Sequence, residues 1–184
     1  MGGRIAVVAA ALLAASAGVM TAQAGTVIVI RHAEKRTDQG SDPELTERGE
    51  HRAEALVAAL RDAHVTAVIT TELRRNVLTA APLARAAGVT PLVIRAGSDP
   101  AAHGREVAEA LRRLPRGAVA VVIEHSNTVP GVIAAMGGPA IPEFCDSEFA
   151  TMLVASLGHG RVKSLVRATY GEHDSLSPQC STMK

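Results

Sequence analysis

The sequence predicts an α/β fold built as a three-layer α/β/α sandwich around a mainly parallel sheet. Three observations carry that expectation. Short β-branched runs, TVIVI at residues 26–30 and AVAVVI at residues 118–123, read as buried strands. Between such runs, apolar residues recur at helical spacing, as in Ala53, Leu56, Val57 and Leu60. Strands that alternate with helices are joined by crossovers, and crossovers are what parallel pairing requires. A chain of 184 residues suits one such domain with a substantial core.

Taken in order, the chain opens with a segment expected to be a leader peptide rather than part of the fold. Arg4 precedes an apolar run from Ile5 to Val19, and Ala22-Gln23-Ala24 reads as a cleavage site ahead of Gly25. This predicts residues 1–24 as a signal peptide, residues 25–184 as the domain, and export to the periplasm or the exterior. No later stretch is apolar and long enough to predict a membrane span. After the first strand, residues 33–43 are charged and turn-rich, a loop. Thr46 can cap the helix that carries the Ala53–Leu60 face. Residues 65–70 predict the second strand, followed by a helix from about Glu72 to Ala86 that stops at Gly88 and should be kinked or divided by Pro82. Residues 91–94 predict a short strand. Asp99-Pro100 is a cap and first-turn pair for a helix with Val107, Ala110, Leu111 and Leu114 on its apolar face. Beyond the strand at 118–123, Asn127 or Thr128 can cap a helix with Pro130 in its first turn, ending at Gly137-Gly138. Residues 148–155 and 162–170 predict two closing strands around a Gly-rich turn, an antiparallel addition.

Composition narrows the partners. The chain carries 19 Lys and Arg against 18 Asp and Glu, so it has no basic excess with which to grip nucleic acid. Aromatic residues make up 2% of the chain and tryptophan is absent, which leaves Ala, Val, Leu and Ile to fill the core. The two cysteines, Cys145 and Cys180, are expected to form a disulfide in an exported protein. No His-x-x-x-His, CxxC or Cys/His cluster has ligand spacing, so no metal site and no cofactor is expected.

The chemistry concentrates at strand ends, where open α/β sheets bind their ligands. The first strand runs into Arg31-His32, the second into Thr70-Thr71 and then Arg74-Arg75, and the strand at 118–123 into Glu124-His125-Ser126-Asn127. Parallel strands would gather two histidines and at least two arginines on one edge. Such a set suits a dianionic phosphoryl group: guanidinium forks bind its oxygens, and a neutral imidazole can attack phosphorus. A helix starting near Asn127 would aim backbone N–H groups at the same anion.

These residues also resemble a known family. Val27–Lys35, VIVIRHAEK, is similar to the Arg-His signature of the histidine phosphatase superfamily, whose fold is phosphoglycerate-mutase-like. Leu45-Thr46-Glu47-Arg48-Gly49 looks like that family's LTxxG helix start. Thr71-Glu72-Leu73-Arg74-Arg75 with Thr79-Ala80 resembles its second motif, in which the arginine four residues after a Ser/Thr meets phosphate. Val121–Thr128, VVIEHSNT, resembles the strand that carries the second histidine. The four motifs occur in the family's order across residues 26 to about 138. The resemblance implies a small phosphorylated substrate, His32 as a phosphorylated nucleophile, Arg31, Arg75 and His125 around the phosphate, and no metal.

Two departures from the family pattern stand out. Where the family commonly has glycine before the second histidine, this chain has Glu124. A carboxylate there would raise the His125 pKa or repel phosphate unless it points away. The family's leaving-group acid has no obvious counterpart: Asp99, already explained as a helix cap, and Glu34, next to the signature, are the candidates, with Asn127 and Thr128 as further substrate contacts. The alternatives to a phosphatase are a phosphate-binding domain without turnover and, less compatible with short loops and export, a phosphomutase. Oligomeric state has no signature in the sequence.

Overall fold

The computed structural model describes residues 25–175 together with residue 180; the expected leader, residues 1–24, lies outside the described residues. Ten elements follow in the order β1 (Thr26–Arg31), α1 (Glu47–Leu60), β2 (Ala67–Thr70), α2 (Arg74–Ala87), β3 (Leu92–Val93), α3 (Pro100–Arg112), β4 (Val119–Glu124), α4 (Val129–Ala135), β5 (Thr151–Gly158) and β6 (Arg161–Thr169). They form one six-stranded sheet in the order β3-β2-β4-β1-β5-β6. The first four in that order are parallel, and the β5–β6 hairpin adds on antiparallel beside β1. The three-layer, mainly parallel architecture expected from the alternation of strands and helices is the one observed.

Strand alternation divides the core in two. Val27 and Val29 of β1 with Ala120 and Val122 of β4 face α3 and α4, where Val107, Leu111, Val132 and Ile133 cover them. Their neighbours Ile28, Ile30, Val121 and Ile123 point the other way, against Leu56 and Leu60 of α1 and Leu83 of α2. With side chains alternating across a strand, a continuous β-branched run is the pattern of a sheet buried on both faces.

The helix boundaries follow local chemistry. Thr46 caps α1, its hydroxyl accepting from the Gly49 amide. Gly49 itself is required by proximity, since a Cβ there would lie 2.2 Å from the Glu34 carbonyl oxygen. Asp99 caps α3 through the Ala101 amide, and Gly88 ends α2 in the left-handed conformation. Pro82 does not divide α2, which runs unbroken from Arg74 to Ala87. Leu78, whose carbonyl Pro82 cannot bond, lies on the exposed face of the helix, where water can serve it instead. The strand expected from residue 148 begins only at Thr151. The peptides ahead of it are taken by side chains instead, with the Phe149 and Ala150 amides donating to Asp174 and the Glu148 carbonyl accepting from Arg31.

On the other face, α3 and α4 meet backbone to backbone. A Cβ on Gly104 would stand 2.5 Å from the Gly131 carbonyl carbon and oxygen, and one on Gly131 would stand 2.6 Å from the Pro100 oxygen. In an open helix Gly→Ala stabilises by about 1 kcal/mol. Here the obstacle is backbone that cannot step aside, and overpacking of that kind costs about 1–3 kcal/mol. The steric term should win: Gly104→Ala is expected to lower stability in denaturant unfolding, and an increase would refute this reading of the contact.

Candidate active site

Register brings the strand ends together. Ile30 pairs with Ile123 and Arg31 with Glu124, while Thr70 pairs with Ile123 from the other side. The next residue of each strand, His32, His125 and Thr71, therefore emerges on one edge. The His32 amide donates to the Glu124 carbonyl at 2.8 Å, which carries the ladder one residue past β1. The two imidazoles sit with ring centroids 5.5 Å apart.

His32 is held as a neutral imidazole. Its Nδ1 lies 2.8 Å from the Ala33 carbonyl, which can only accept, so the proton resides on Nδ1 and the lone pair on Nε2. Burial pushes its pKa down to about 3, and the hydrogen bond to Ala33, which favours the cation, is outweighed with help from Arg31, His125 and Arg75. The Ala33 peptide is held in turn by Thr79, whose hydroxyl accepts from the Ala33 amide and donates to the Arg75 carbonyl. His125 is likewise held neutral, at about 4, first by burial and then by Arg75. Its Nε2 lies 3.2 Å from the Thr71 hydroxyl. A Thr71 donor there leaves Nδ1–H as a donor in its own right.

The arginines come from different layers. Arg31 is buried, with one terminal nitrogen donating to the carbonyls of Cys145, Asp146 and Glu148 and its guanidinium 4.2 Å over the Phe149 ring. The antiparallel β5 makes this possible, because its leading segment returns to the edge where β1 ends. At the start of α2 the two neighbours part company. The Arg74 side chain is 52% exposed and pairs with Glu44, whereas that of Arg75 is 14% exposed and its nearest carboxylate, Asp42, is 3.9 Å away. Arg31 Nε, Arg75 Nε and His125 Nδ1 are all buried without a partner among the described residues. Unsatisfied donors of this kind are costly, and a phosphoryl oxyanion is the ligand that would satisfy all three.

Other expected contacts fall elsewhere. Glu34 does not serve as a free acid: Arg52 takes both its oxygens and Arg48 lies at 3.3 Å. Burial raises the Glu34 pKa, but Arg52 outweighs that and holds it low, so it stays ionised. Asp99 is exposed and spent on its cap. Asn127 is exposed. Thr128 is buried beneath the site instead of reaching into it; its hydroxyl donates to Glu124 at 2.6 Å and accepts from the His125 amide at 3.0 Å. The backbone N–H groups of Thr128 and Val129 are not free for an anion, since both donate to the His125 carbonyl. Glu124 points away from the phosphate side, into the layer of α3, where His103 meets it.

The motifs did not mark several residues that shape the site. Phe149 lies against both Arg31 and His32, at 6.4 Å between ring centroids for the latter. It is one of only two phenylalanines, a signal of scarcity alone. Arg52 and His103 were more legible: each stands on the buried stripe of its helix, and a polar residue there needs a partner. Two carboxylates reach the rim, Asp42 by Arg75 and Glu72, which accepts from the Ala96 amide and acts electrostatically on His125. Cys145 and Cys180 are joined as a disulfide with Cα atoms 5.6 Å apart, beside the carbonyls that hold Arg31. Among the described residues no group of His, Cys, Asp and Glu has the makings of a metal site, and no helix is long and apolar enough to cross a membrane.

A family model, the histidine phosphatase superfamily (branch 1), matches residues 27–104. The fold of the chain is shared with solved structures of low identity. A mycobacterial glucosyl-3-phosphoglycerate phosphatase is 18% identical, with 79% of this chain and 97% of that one covered at a TM-score of 0.57. The protein histidine phosphatase SixA, solved with tungstate, is 16% identical over 79% and 95% at 0.58. A phosphoserine phosphatase from Entamoeba histolytica, solved with 3-phosphoglyceric acid, is 12% identical over 80% and 97% at 0.58. No curated protein matches the sequence.

A binding experiment separates the two neighbouring arginines. Losing a charge-assisted contact costs about 1.5–3 kcal/mol, or roughly tenfold to a hundredfold. Arg75→Ala should weaken tungstate or orthophosphate binding by that factor in calorimetry, while Arg74→Ala stays within about twofold. Equal losses would show that the pocket is built from a different register of α2.

Proposed function

We propose that this protein is an exported, metal-independent phosphatase that hydrolyses a small phosphomonoester or phosphoramidate through a phosphohistidine on His32. The observation that carries the reading is the His32 tautomer: Nδ1 is committed to the Ala33 carbonyl, and Nε2 is left with its lone pair beside Arg31, Arg75 and His125. In the first step Nε2 attacks phosphorus, the P–O or P–N bond to the leaving group breaks, and that group departs with the bonding pair and takes up a proton. In the second, water attacks phosphorus, the P–Nε2 bond breaks, and orthophosphate leaves. Arg31, Arg75 and the Nδ1–H of His125 would stabilise the charge on the equatorial oxygens in both steps.

The superfamily match and the phosphatases sharing the fold support hydrolysis as the reaction class. Export rests on the leader pattern of residues 1–24, and the Cys145–Cys180 bond suits an oxidising compartment. Glu34 and Asp99 are engaged elsewhere and contribute no leaving-group acid. The enzyme should therefore favour substrates whose leaving group needs little protonation.

Two measurements test this. An alkaline quench during turnover of an aryl phosphate should trap a covalent phosphoenzyme with the label on His32, absent in His32→Ala; label on another residue ends the mechanism. Across a series of esters, kcat/KM should rise steeply as the leaving group becomes more acidic. A flat series would reveal an efficient acid that this reading denies.

A further inference from the structure

Glu124 poses an electrostatic problem. It is fully buried and adjacent in sequence to His125. A bare carboxylate so near a bound dianion would repel it through a medium that screens poorly. We infer that His103 is a dedicated counter-charge, a positioning residue that makes Glu124 compatible with anion binding at His125 and ties the rim of the site to that same strand end. The inference rests on the phosphate-site reading above.

The geometry makes His103 a cation. Its Nε2 lies 3.0 Å from each oxygen of Glu124, and its Nδ1 lies 3.1 Å from the Arg95 carbonyl. Both neighbours are acceptors there: Glu124 also accepts from Thr128, and a carbonyl has no hydrogen to give. Two acceptors on the two ring nitrogens require a proton on each. Both side chains are 1% exposed, so the charges neutralise each other with almost no solvent between them. The hydrogen bond to Glu124 accordingly raises the His103 pKa, against the effect of burial.

The pair reaches the site along two routes. From Glu124, the Thr128 hydroxyl links to the His125 amide and fixes the backbone that carries the second imidazole. From His103, Nδ1 holds the Arg95 carbonyl while Glu72 holds the Ala96 amide, so the Arg95–Ala96 peptide in the loop after β3 is fastened through both its oxygen and its N–H. Next to His103, Gly104 is packed directly on Gly131, which brings α3 and α4 together backbone to backbone. The charged and titratable groups facing His125 are Arg75 from α2, Glu72 before it, His32 from β1, and Glu124 and His103. Within that set Glu124 raises and His103 lowers the His125 pKa, so the two members of the pair act on His125 in opposite directions.

The test compares the single variants His103→Gln and Glu124→Gln with the double variant, well below their unfolding temperatures. The readouts are orthophosphate affinity and the acid limb of kcat/KM for an aryl phosphate. With one substrate throughout, any displacement of the limb between variants belongs to the enzyme. In His103→Gln an unpaired carboxylate remains, so phosphate should bind at least tenfold more weakly and the limb should move to higher pH. In Glu124→Gln the negative charge is gone and the imidazole sheds its extra proton, so affinity should stay within about threefold and the limb should not rise. The double variant should resemble Glu124→Gln, rescuing the loss caused by the first substitution. A merely structural pair would shift thermal stability and leave these readouts alike in both single variants, which would overturn the inference. Should His103→Gln fail to fold, Glu124→Gln still decides: a gain of tenfold or more in phosphate affinity would mean Glu124 had been uncompensated. Failure of the wild type to bind phosphate at all would instead overturn the site reading itself.

Discussion

The arrangement depends on keeping two buried guanidiniums free of carboxylates. The chain is almost neutral overall, so its attraction for an anion cannot come from net charge. It comes from local pairing. Glu34 is matched by Arg52, Glu124 by His103 and Glu148 by Arg167, each in a short, largely buried contact. Against that, Arg31 is bound only to neutral carbonyls, and Arg75 has its nearest carboxylate at the limit of an ion pair. A guanidinium surrounded by carbonyl dipoles keeps its full charge for a ligand, whereas one with a carboxylate partner would have that charge already spent. Most of the carboxylates around the site are thus structural, and the two arginines keep their charge available to an anion.

The same pairing explains why the C-terminal part of the chain matters to a site assembled mostly from its first two thirds. Arg52 reaches past Glu34 to the Tyr170 and Glu172 carbonyls and to Asp174. Asp174 receives the Phe149 and Ala150 amides, and Phe149 lies under Arg31 and beside His32. A helix that opens just after the signature loop, the tail after β6 and the segment before β5 are thus linked through one arginine. The disulfide at Cys145 anchors the carbonyls that hold Arg31 from the other end. Because each link is a hydrogen bond between charged or polar groups withdrawn from water, losing one partner would leave the other buried and unsatisfied. His32 is accordingly surrounded by neighbours far away in sequence.

How much of this could be read from the sequence depended on whether a residue announces itself by period, by position or only by its partner. Strands with both faces buried are legible as unbroken β-branched runs, and Arg31, His32 and His125 stand directly after such runs. Parallel register does the rest. The helix caps at Thr46 and Asp99 are local and equally legible. Thr128 was misplaced because a residue at a helix start reads as a cap or a ligand contact, whereas its hydroxyl serves Glu124 and the His125 amide, a choice set by tertiary distance. Glu34 failed for the same reason, since nothing near it in sequence reveals that a guanidinium on α1 will take it. The late start of β5 reflects competition for peptide groups by Arg31 and Asp174, which strand propensity cannot see.

Arg52 and His103 show where a sequence reading could have gone further. Each occupies the buried stripe of an amphipathic helix, where a charged group is too costly to stand alone. Each therefore requires a partner of opposite sign from another layer, and of the three buried carboxylates among the described residues Glu148 is taken by Arg167, which leaves Glu34 after β1 and Glu124 at the end of β4. Both carboxylates lie within two residues of the histidines of the site, so the partner requirement by itself draws α1 and α3 toward the two strand ends. On that view Glu124 and His103 act as a single unit, since either one without the other would leave an uncompensated buried charge beside His125.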